Sequence, residues 1–288
     1  MQISIVVNPV SGTNSARKRA KRMVCALEKH FHVKAVYTEY AGHAVKLTQE
    51  ATQQGAKVLV AVGGDGTVNE IASALKHTQT ALMIVPTGSG NGLARDLGMY
   101  GLSIQQVIDR IEQNKVHTID SGMADEKAFF CTCGTGFDAY IGHLFAQTKV
   151  RGFFTYIKLS LKAFKNYTPL TYQLKTNQGE YTRRAFVINI ANNKQFGNNA
   201  YIAPLANMQD GLFTVTIIKP FKWYHVPYMA YGLFFKRIHK NKFVETFDCK
   251  DITLMLPANA HVHIDGEPIK TASSNVVIKM SPGSVKVI

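Results

Sequence analysis

The sequence predicts an α/β domain built on a parallel sheet, followed by an antiparallel β domain of the sandwich or barrel kind. Three observations carry this. The first 120 residues repeat strand–loop–helix units, which set parallel strands between helices. Two glycine-rich loops each follow a continuous apolar run and open a helical pattern. From about residue 116 the chain changes to short β-rich runs with polar breaks, the pattern of antiparallel pairing.

In order, Ile3 to Val7 is a short apolar strand closed by Asn8-Pro9. Ser15 to Phe31 is helical, with Ala20, Val24, Leu27 and Phe31 on one side. Val33 to Tyr37 reads as strand and Ala41 to Gln54 as helix. Val58 to Val62 is apolar throughout, as a strand buried on both faces must be. It ends at Gly63-Gly64-Asp65-Gly66, and Thr67 to Leu75 resumes helical spacing. Ala81 to Val85 repeats the pattern, ending at Pro86-Thr87-Gly88-Ser89-Gly90 before a helical Asn91 to Leu97. Beyond a boundary near 120, the expected strands are Ala128 to Cys133, Leu170 to Thr176, Arg184 to Asn189, Leu212 to Ile218, Asp251 to Leu256, Val262 to Ile264 and Asn275 to Met280. Ile141 to Tyr167 and Trp223 to Lys240, both rich in Lys and aromatics, read as helical. The expected division is 1–120 and 121–270, with the segment of about 270–288 a candidate to return to the first domain.

Composition narrows the function. Of 288 residues, 46% are apolar and 18% charged, which excludes a mostly disordered chain. Lys and Arg number 33 against 19 Asp and Glu, and the net charge of +14 draws nucleic acid, an anionic membrane surface or phosphorylated small molecules. The four cysteines form no C-x-x-C pair and read as reduced core thiols. Cys131-x-Cys133 and His261-x-His263 would each share a face on a strand, but a metal site needs further ligands. The apolar opening Met1 to Val7 is too short for a secretory leader. No apolar stretch reaches the ~20 residues that span a bilayer. A soluble cytoplasmic chain is expected.

The glycine loops carry the chemistry. Glycine lets a ligand approach the backbone and exposes N–H groups beside a helix N-terminus, which suits phosphate. Ligands bind at the carboxyl ends of parallel strands, where both loops fall. Neither loop is G-x-x-x-x-G-K-[ST] or G-x-G-x-x-G, so a P-loop ATPase and a dinucleotide oxidoreductase are poorly supported. Asp65 would repel a phosphate unless a cation or hydrogen bonds compensate, and it points to Mg²⁺ or to orientation of a donor group.

Four strings in order, Asn8-Pro9-Val10-Ser11-Gly12, Gly63-Gly64-Asp65-Gly66-Thr67-Val68-Asn69-Glu70, Pro86-Thr87-Gly88-Ser89-Gly90-Asn91-Gly92-Leu93-Ala94-Arg95 and Asp265-Gly266-Glu267, resemble the diacylglycerol kinase catalytic family. That family takes in bacterial lipid kinases and sphingosine kinases and is related in fold to NAD kinases. The resemblance spans almost the whole chain. It implies an NAD kinase-like α/β domain with a parallel sheet, a C-terminal β-sandwich domain, and ATP with Mg²⁺ in a cleft between them. It places Asn8, Pro9, Val10, Ser11 and Gly12 near the phosphates and Thr38 on the nucleotide. It implies a phosphate cradle of Gly63, Gly64, Asp65, Gly66, Thr67, Val68 and Asn69, and a hydroxyl contact from Ser89. Glu267 is the implied proton acceptor, with Asp265 the alternative close by, although on the residues alone Asp265-Gly266 reads as a tight hairpin turn. Asn207, Asp210 and Leu212 match the family's structural Mg²⁺ segment, against a plain D-G turn as the other reading. The family's Asp after the loop Asn is Gly92 here, a form that also looks like sphingosine kinases and leaves the acceptor lipid open.

The expected activity is phosphorylation of a lipid hydroxyl by ATP, diacylglycerol giving phosphatidic acid. A sphingoid base, phosphatidylglycerol and a soluble acceptor such as NAD are the alternatives. A nucleotide-dependent membrane or nucleic-acid binding protein without turnover is the reading from another class, but no nucleic-acid motif accompanies the charge. The two Lys-aromatic segments suit an anionic bilayer surface, and equally a sandwich core with solvated lysines. The partners expected are ATP, a membrane lipid and the inner membrane surface as a peripheral site; a homodimer is left open.

Overall fold

A computed structural model describes residues 1–148, 153–269 and 274–288, with residues 153–157 described by backbone only. The chain divides into two compact units, Met1–Asp120 with Pro282–Ile288, and Ser121–Ser281.

The first unit has parallel strands β1 (Ile3–Val7), β2 (Ala35–Tyr37), β3 (Val58–Gly63) and β4 (Ala81–Pro86) in the order β2-β1-β3-β4. Every residue of β3 and β4 is buried, which is why both runs are apolar end to end. The connecting helices are α1 (Asn14–Phe31), α2 (His43–Gln53), α3 (Asp65–Leu75), α4 (Gly92–Asp96) and α5 (Ile104–Gln113). Helix α2 packs with α3, and α1 with α5. Thr13 caps α1 by accepting from the Ala16 N–H, and α5 opens on a Ser103–Gln106 capping box. The chain's last residues join this sheet: Val287 pairs with Leu82, parallel to β4.

Helix α3 begins at Asp65, inside the first glycine loop, rather than at Thr67. The reason is that Gly64 is extended and serves as the N-cap, so the loop itself forms the first helical turn.

The second unit is a sandwich. Its first elements are β5 (His117–Ala124), whose residues up to Asp120 belong to the first unit, β6 (Lys127–Phe129), β7 (Thr132–Gly136), α6 (Phe137–Ala146) and α7 (Phe153–Phe164). Next come β8 (Leu170–Thr176), β9 (Gly179–Ala185), β10 (Val187–Ala191), β11 (Phe213–Ile218) and α8 (Val226–Phe234). The last are β12 (Val244–Cys249), β13 (Asp251–Met255), β14 (Val262–Ile264), β15 (Glu267–Ile269) and β16 (Asn275–Val287), whose final residues belong to the first unit. One antiparallel sheet runs β12-β11-β10-β7-β14-β15. In the other, β8 lies between β9 and β13, and β13 pairs with the first half of β16. The core between them includes Phe129, Tyr172, Ile188, Phe213, Ile252 and Ile278.

The expected strand Ala128 to Cys133 is broken at Phe130 and Cys131, whose N–H groups turn to a side-chain carboxylate described below. Arg184 to Asn189 likewise divides between β9 and β10. Among the described residues no helix is long and apolar enough to cross a membrane.

Candidate active site

Three loops of the first unit meet at the carboxyl ends of β1, β3 and β4. Asn8 donates through Nδ2 to Thr67 Oγ1 at 2.9 Å and accepts from the Val10 N–H, which ties the first loop to α3. Thr87 Oγ1 lies 3.0 Å from Ser11 Oγ, linking the first and third loops. Asp65 links the second and third: its Oδ2 accepts from the Asn91 N–H at 2.9 Å and its Oδ1 from the Gly92 N–H at 3.1 Å. These bonds satisfy the Asp65 carboxylate and cap the start of α4.

The approach is too close for side chains. Gly12 has φ +80°, and a Cβ there would lie 2.1 Å from Thr87 O. A Cβ on Gly88 would lie 2.9 Å from Gly64 Cα. At Gly66, by contrast, a Cβ would meet nothing within 4 Å, so space is open over the first turn of α3. Its N-cap, Gly64, has no side chain to bond that turn. The N–H groups of a helix's first turn and its dipole are the features that suit an anion.

The sequence-assigned residues fall unevenly around this cradle. Pro9 and Val10 are exposed at the tip of the first loop, and Ser89 is exposed on the third. Thr38 follows β2, its N–H donating to Val7 O at 2.9 Å, beside the start of the first loop. Thr67 is buried and holds Asn8, while Val68 is buried and can serve only through its backbone. Asn69 is half-buried one turn into α3. Three residues quoted in the motifs were given no role of their own. Glu70 accepts from the Gly42 N–H at 2.9 Å and the Ala44 N–H at 3.3 Å, supplying the cap that α2 lacks. Asn91 adopts φ 53° and is buried, turning the third loop. Arg95 donates to Gly90 O and lies 3.6 Å from the Tyr100 ring centre.

In the second unit, Asp265 (φ 48°) and Gly266 (φ 82°) turn β14 into β15. Positive φ at both central residues is the hairpin geometry that D-G favours. The Asp265 carboxylate accepts three backbone N–H bonds, from Phe130 at 3.0 Å, Cys131 at 2.8 Å and Thr132 at 3.0 Å. It pins the turn to the β6–β7 junction. Glu267, two residues on, opens β15 and is exposed. Beneath the turn, buried His263 faces Asp138 of α6 at 3.0 Å through Nε2, and its Nδ1 accepts from the Gly266 N–H at 3.4 Å. Sequence spacing offered His263 only as half of a His pair. His261 instead lies outside β14 and stacks on His143 at 4.7 Å. Burial and the neighbouring Asp265 and Asp138 push the Cys133 thiol far up, which keeps it protonated and unsuited to nucleophilic work.

The metal segment is an exposed turn. Gln209 N–H donates to Asn207 Oδ1 at 3.2 Å, and Leu212 N–H to Asp210 Oδ1 at 3.0 Å, with Gly211 at φ 72°. Among the described residues no three His, Cys, Asp or Glu side chains gather for a metal. One carboxylate with main-chain oxygens matches the chemistry of a largely hydrated Mg²⁺, not an all-protein cage.

Of the Lys-aromatic segments, Lys149 and Arg151 lie outside the described residues, as do the side chains of Phe153, Phe154 and Tyr156. Lys158, Lys162 and Lys165 are exposed, whereas Phe164 packs against Phe137, Phe186 and Phe221. In the other segment, Trp223, Tyr228, Tyr231 and Phe235 are exposed, so they do not fill the core.

An α/β unit with clamped glycine-rich loops and a β-sandwich unit make up the NAD kinase-like fold. Residues 2–124 match the diacylglycerol kinase catalytic domain, and residues 131–288 the YegS C-terminal NAD kinase beta sandwich-like domain. The chain belongs to the family that combines these two domains. YtlR of Bacillus subtilis (strain 168) is 26% identical over 98% of each chain. A diacylglycerol kinase of Mycobacterium tuberculosis (strain ATCC 25618 / H37Rv) is 27% identical over 75% of this chain and 72% of that one. The crystal structure of a diacylglycerol kinase from Bacillus anthracis str. Sterne shares the fold at a TM-score of 0.74 and 19% identity, covering 100% of this chain and 96% of that one. An NAD kinase from Archaeoglobus fulgidus in complex with ATP shares it at 0.54 and 14%, covering 100% and 93%.

Proposed function

We propose that this chain is an ATP- and Mg²⁺-dependent lipid kinase, with diacylglycerol as the leading acceptor and phosphatidic acid as product. The observation that carries the reading is the clamped three-loop cradle at the start of α3, whose N-cap is Gly64. Backbone N–H groups there take the phosphate oxygens, Ser89 adds a hydroxyl, and Thr38 meets the nucleotide. Asp65 holds the third loop in place. This arrangement acts by positioning and fixed dipoles, as phosphoryl transfer requires.

In the reaction the lipid hydroxyl oxygen bonds to the γ-phosphorus, the bond from that phosphorus to the β–γ bridging oxygen breaks, and ADP leaves with the electron pair. The hydroxyl proton passes to Glu267. Glu267 is preferred to Asp265 because the Asp265 carboxylate is engaged with three backbone donors. Mg²⁺, when bound, would supply charge neutralisation on the phosphates. Asp65 offers a carboxylate beside the loops, and Asp210 with the main-chain oxygens of Asn207 and Leu212 would hold a structural ion.

The test is a lipid panel with ATP and Mg²⁺, read by mass spectrometry. A phosphorylated lipid that requires both ATP and Mg²⁺ is expected; a sphingoid base or phosphatidylglycerol as preferred acceptor would correct the substrate alone. Label that stays in ATP for every lipid, with NADP formed from NAD, would overturn the reading.

A further inference from the structure

We propose that α8 and its flanks are a docking face for an anionic bilayer surface. This goes beyond the kinase reading and stands on its own observations. The inward side of the helix is fixed: Met229 and Gly232 are buried, and Gly232 sits so close to Ile238 that a Cβ would lie 3.2 Å from its Cα. The outward side is aromatic. Tyr228 and Tyr231 lie on α8, Tyr224 in the 3-10 turn before it and Phe235 at its C-cap, where Phe235 stacks on Tyr231 at 4.7 Å. Tyr224, Tyr228, Tyr231 and Phe235 are 53%, 45%, 45% and 65% exposed, with Trp223 beside them at 74%. A soluble helix ordinarily turns such rings inward.

The chemistry of these rings favours a membrane interface over an apolar protein groove. Tyr and Trp join an apolar ring to a polar tip and settle at headgroup depth. Around them stand exposed Lys222, Lys236, Arg237, Lys240 and Lys242. Between Lys219 and Phe243 the sequence holds no Asp or Glu, so this segment's own charges are all positive and complementary to anionic headgroups. Lys236 lies 4.6 Å from the Tyr201 ring centre and Lys222 5.9 Å from that of Tyr224, which keeps these charges beside the rings.

The chain carries its own reporter, because Trp223 is its single tryptophan. The full-length protein is titrated, without ATP, with vesicles of phosphatidylcholine alone and with vesicles containing phosphatidylglycerol. A blue shift of Trp223 emission on anionic vesicles only, weakened by added salt, is expected. Lys236→Ala with Arg237→Ala should weaken binding about 25-fold, roughly fivefold for each cation. Tyr231→Ser with Phe235→Ser should abolish the shift, while circular dichroism and ATP binding match the parent. An absent shift, or an equal one on neutral vesicles, overturns the proposal. So does a concentration-dependent shift without vesicles that sediments as a dimer, which would make this face a contact between copies. Since no ATP is present, failure here leaves the kinase reading intact, and a chain that docks without phosphorylating lipid contradicts that reading alone.

Discussion

Replacing Asp265 by Asn separates an anchoring role from a catalytic one. The carboxylate accepts three backbone N–H bonds of 2.8–3.0 Å. Hydrogen bonds to a charged group are each worth about 1.5–3 kcal/mol. Asn keeps one acceptor oxygen but turns an amide N–H₂ toward at least one of the donors and removes the charge from the rest. The three bonds share one side chain, so their losses do not add fully. A net loss of about 2–4 kcal/mol follows for the second unit. Asn tolerates the left-handed φ of 48°, so backbone strain does not confuse the result. Urea unfolding followed by circular dichroism reads the loss, and at about 2 kcal/mol per molar urea the midpoint should fall by about 1–2 M. An unchanged midpoint with turnover abolished would refute the anchoring argument and make Asp265 the base.

Other outcomes follow from the same geometry. Glu245 is held below its usual range first by its hydrogen bonds from Arg183, so its contribution is present above its unfolded pKa and lost as pH falls through the folded one. Glu245→Gln should cost about 0.5–1 kcal/mol at neutral pH for this partly exposed pair, and the difference from the parent should shrink as pH falls below the ordinary glutamate value of about 4.3 and vanish below the lowered folded pKa; thermal melts across pH check this. Cys25 is exposed, while Cys131, Cys133 and Cys249 are buried, with burial pushing Cys249 up to about 12. Brief maleimide treatment of the native protein should therefore give a single adduct at Cys25 by peptide mapping. If Asp210 holds Mg²⁺, millimolar Mg²⁺ should raise the melting temperature of the parent but not of Asp210→Asn, and equal gains in both would remove this site from the account.

The α/β half was legible because its signals are local. Val58 to Val62 and Ala81 to Val85 are apolar runs with a single explanation, and the glycine strings follow them directly. The clamps between the loops were less so, since Asp65–Gly92 and Ser11–Thr87 join residues far apart in the chain. In the second unit the break between β6 and β7 was hidden because its cause, Asp265, lies some 135 residues away. The His263–Asp138 pair was hidden for the same reason. For α8 and its flanks, composition showed the aromatics but not their direction, because the same rings could have faced the core.

The central claim is tested most directly by Glu267→Gln, with lipid phosphorylation and ATP affinity measured on the same preparation. Loss of a positioned proton acceptor should lower turnover about 10²–10⁴-fold, while ATP affinity, proposed to reside in the loops of the first unit, should stay within about twofold of the parent. Near-parental turnover would contradict the assignment of Glu267 as the base, and a turnover loss matched by lost ATP binding would contradict the division of labour between the two units.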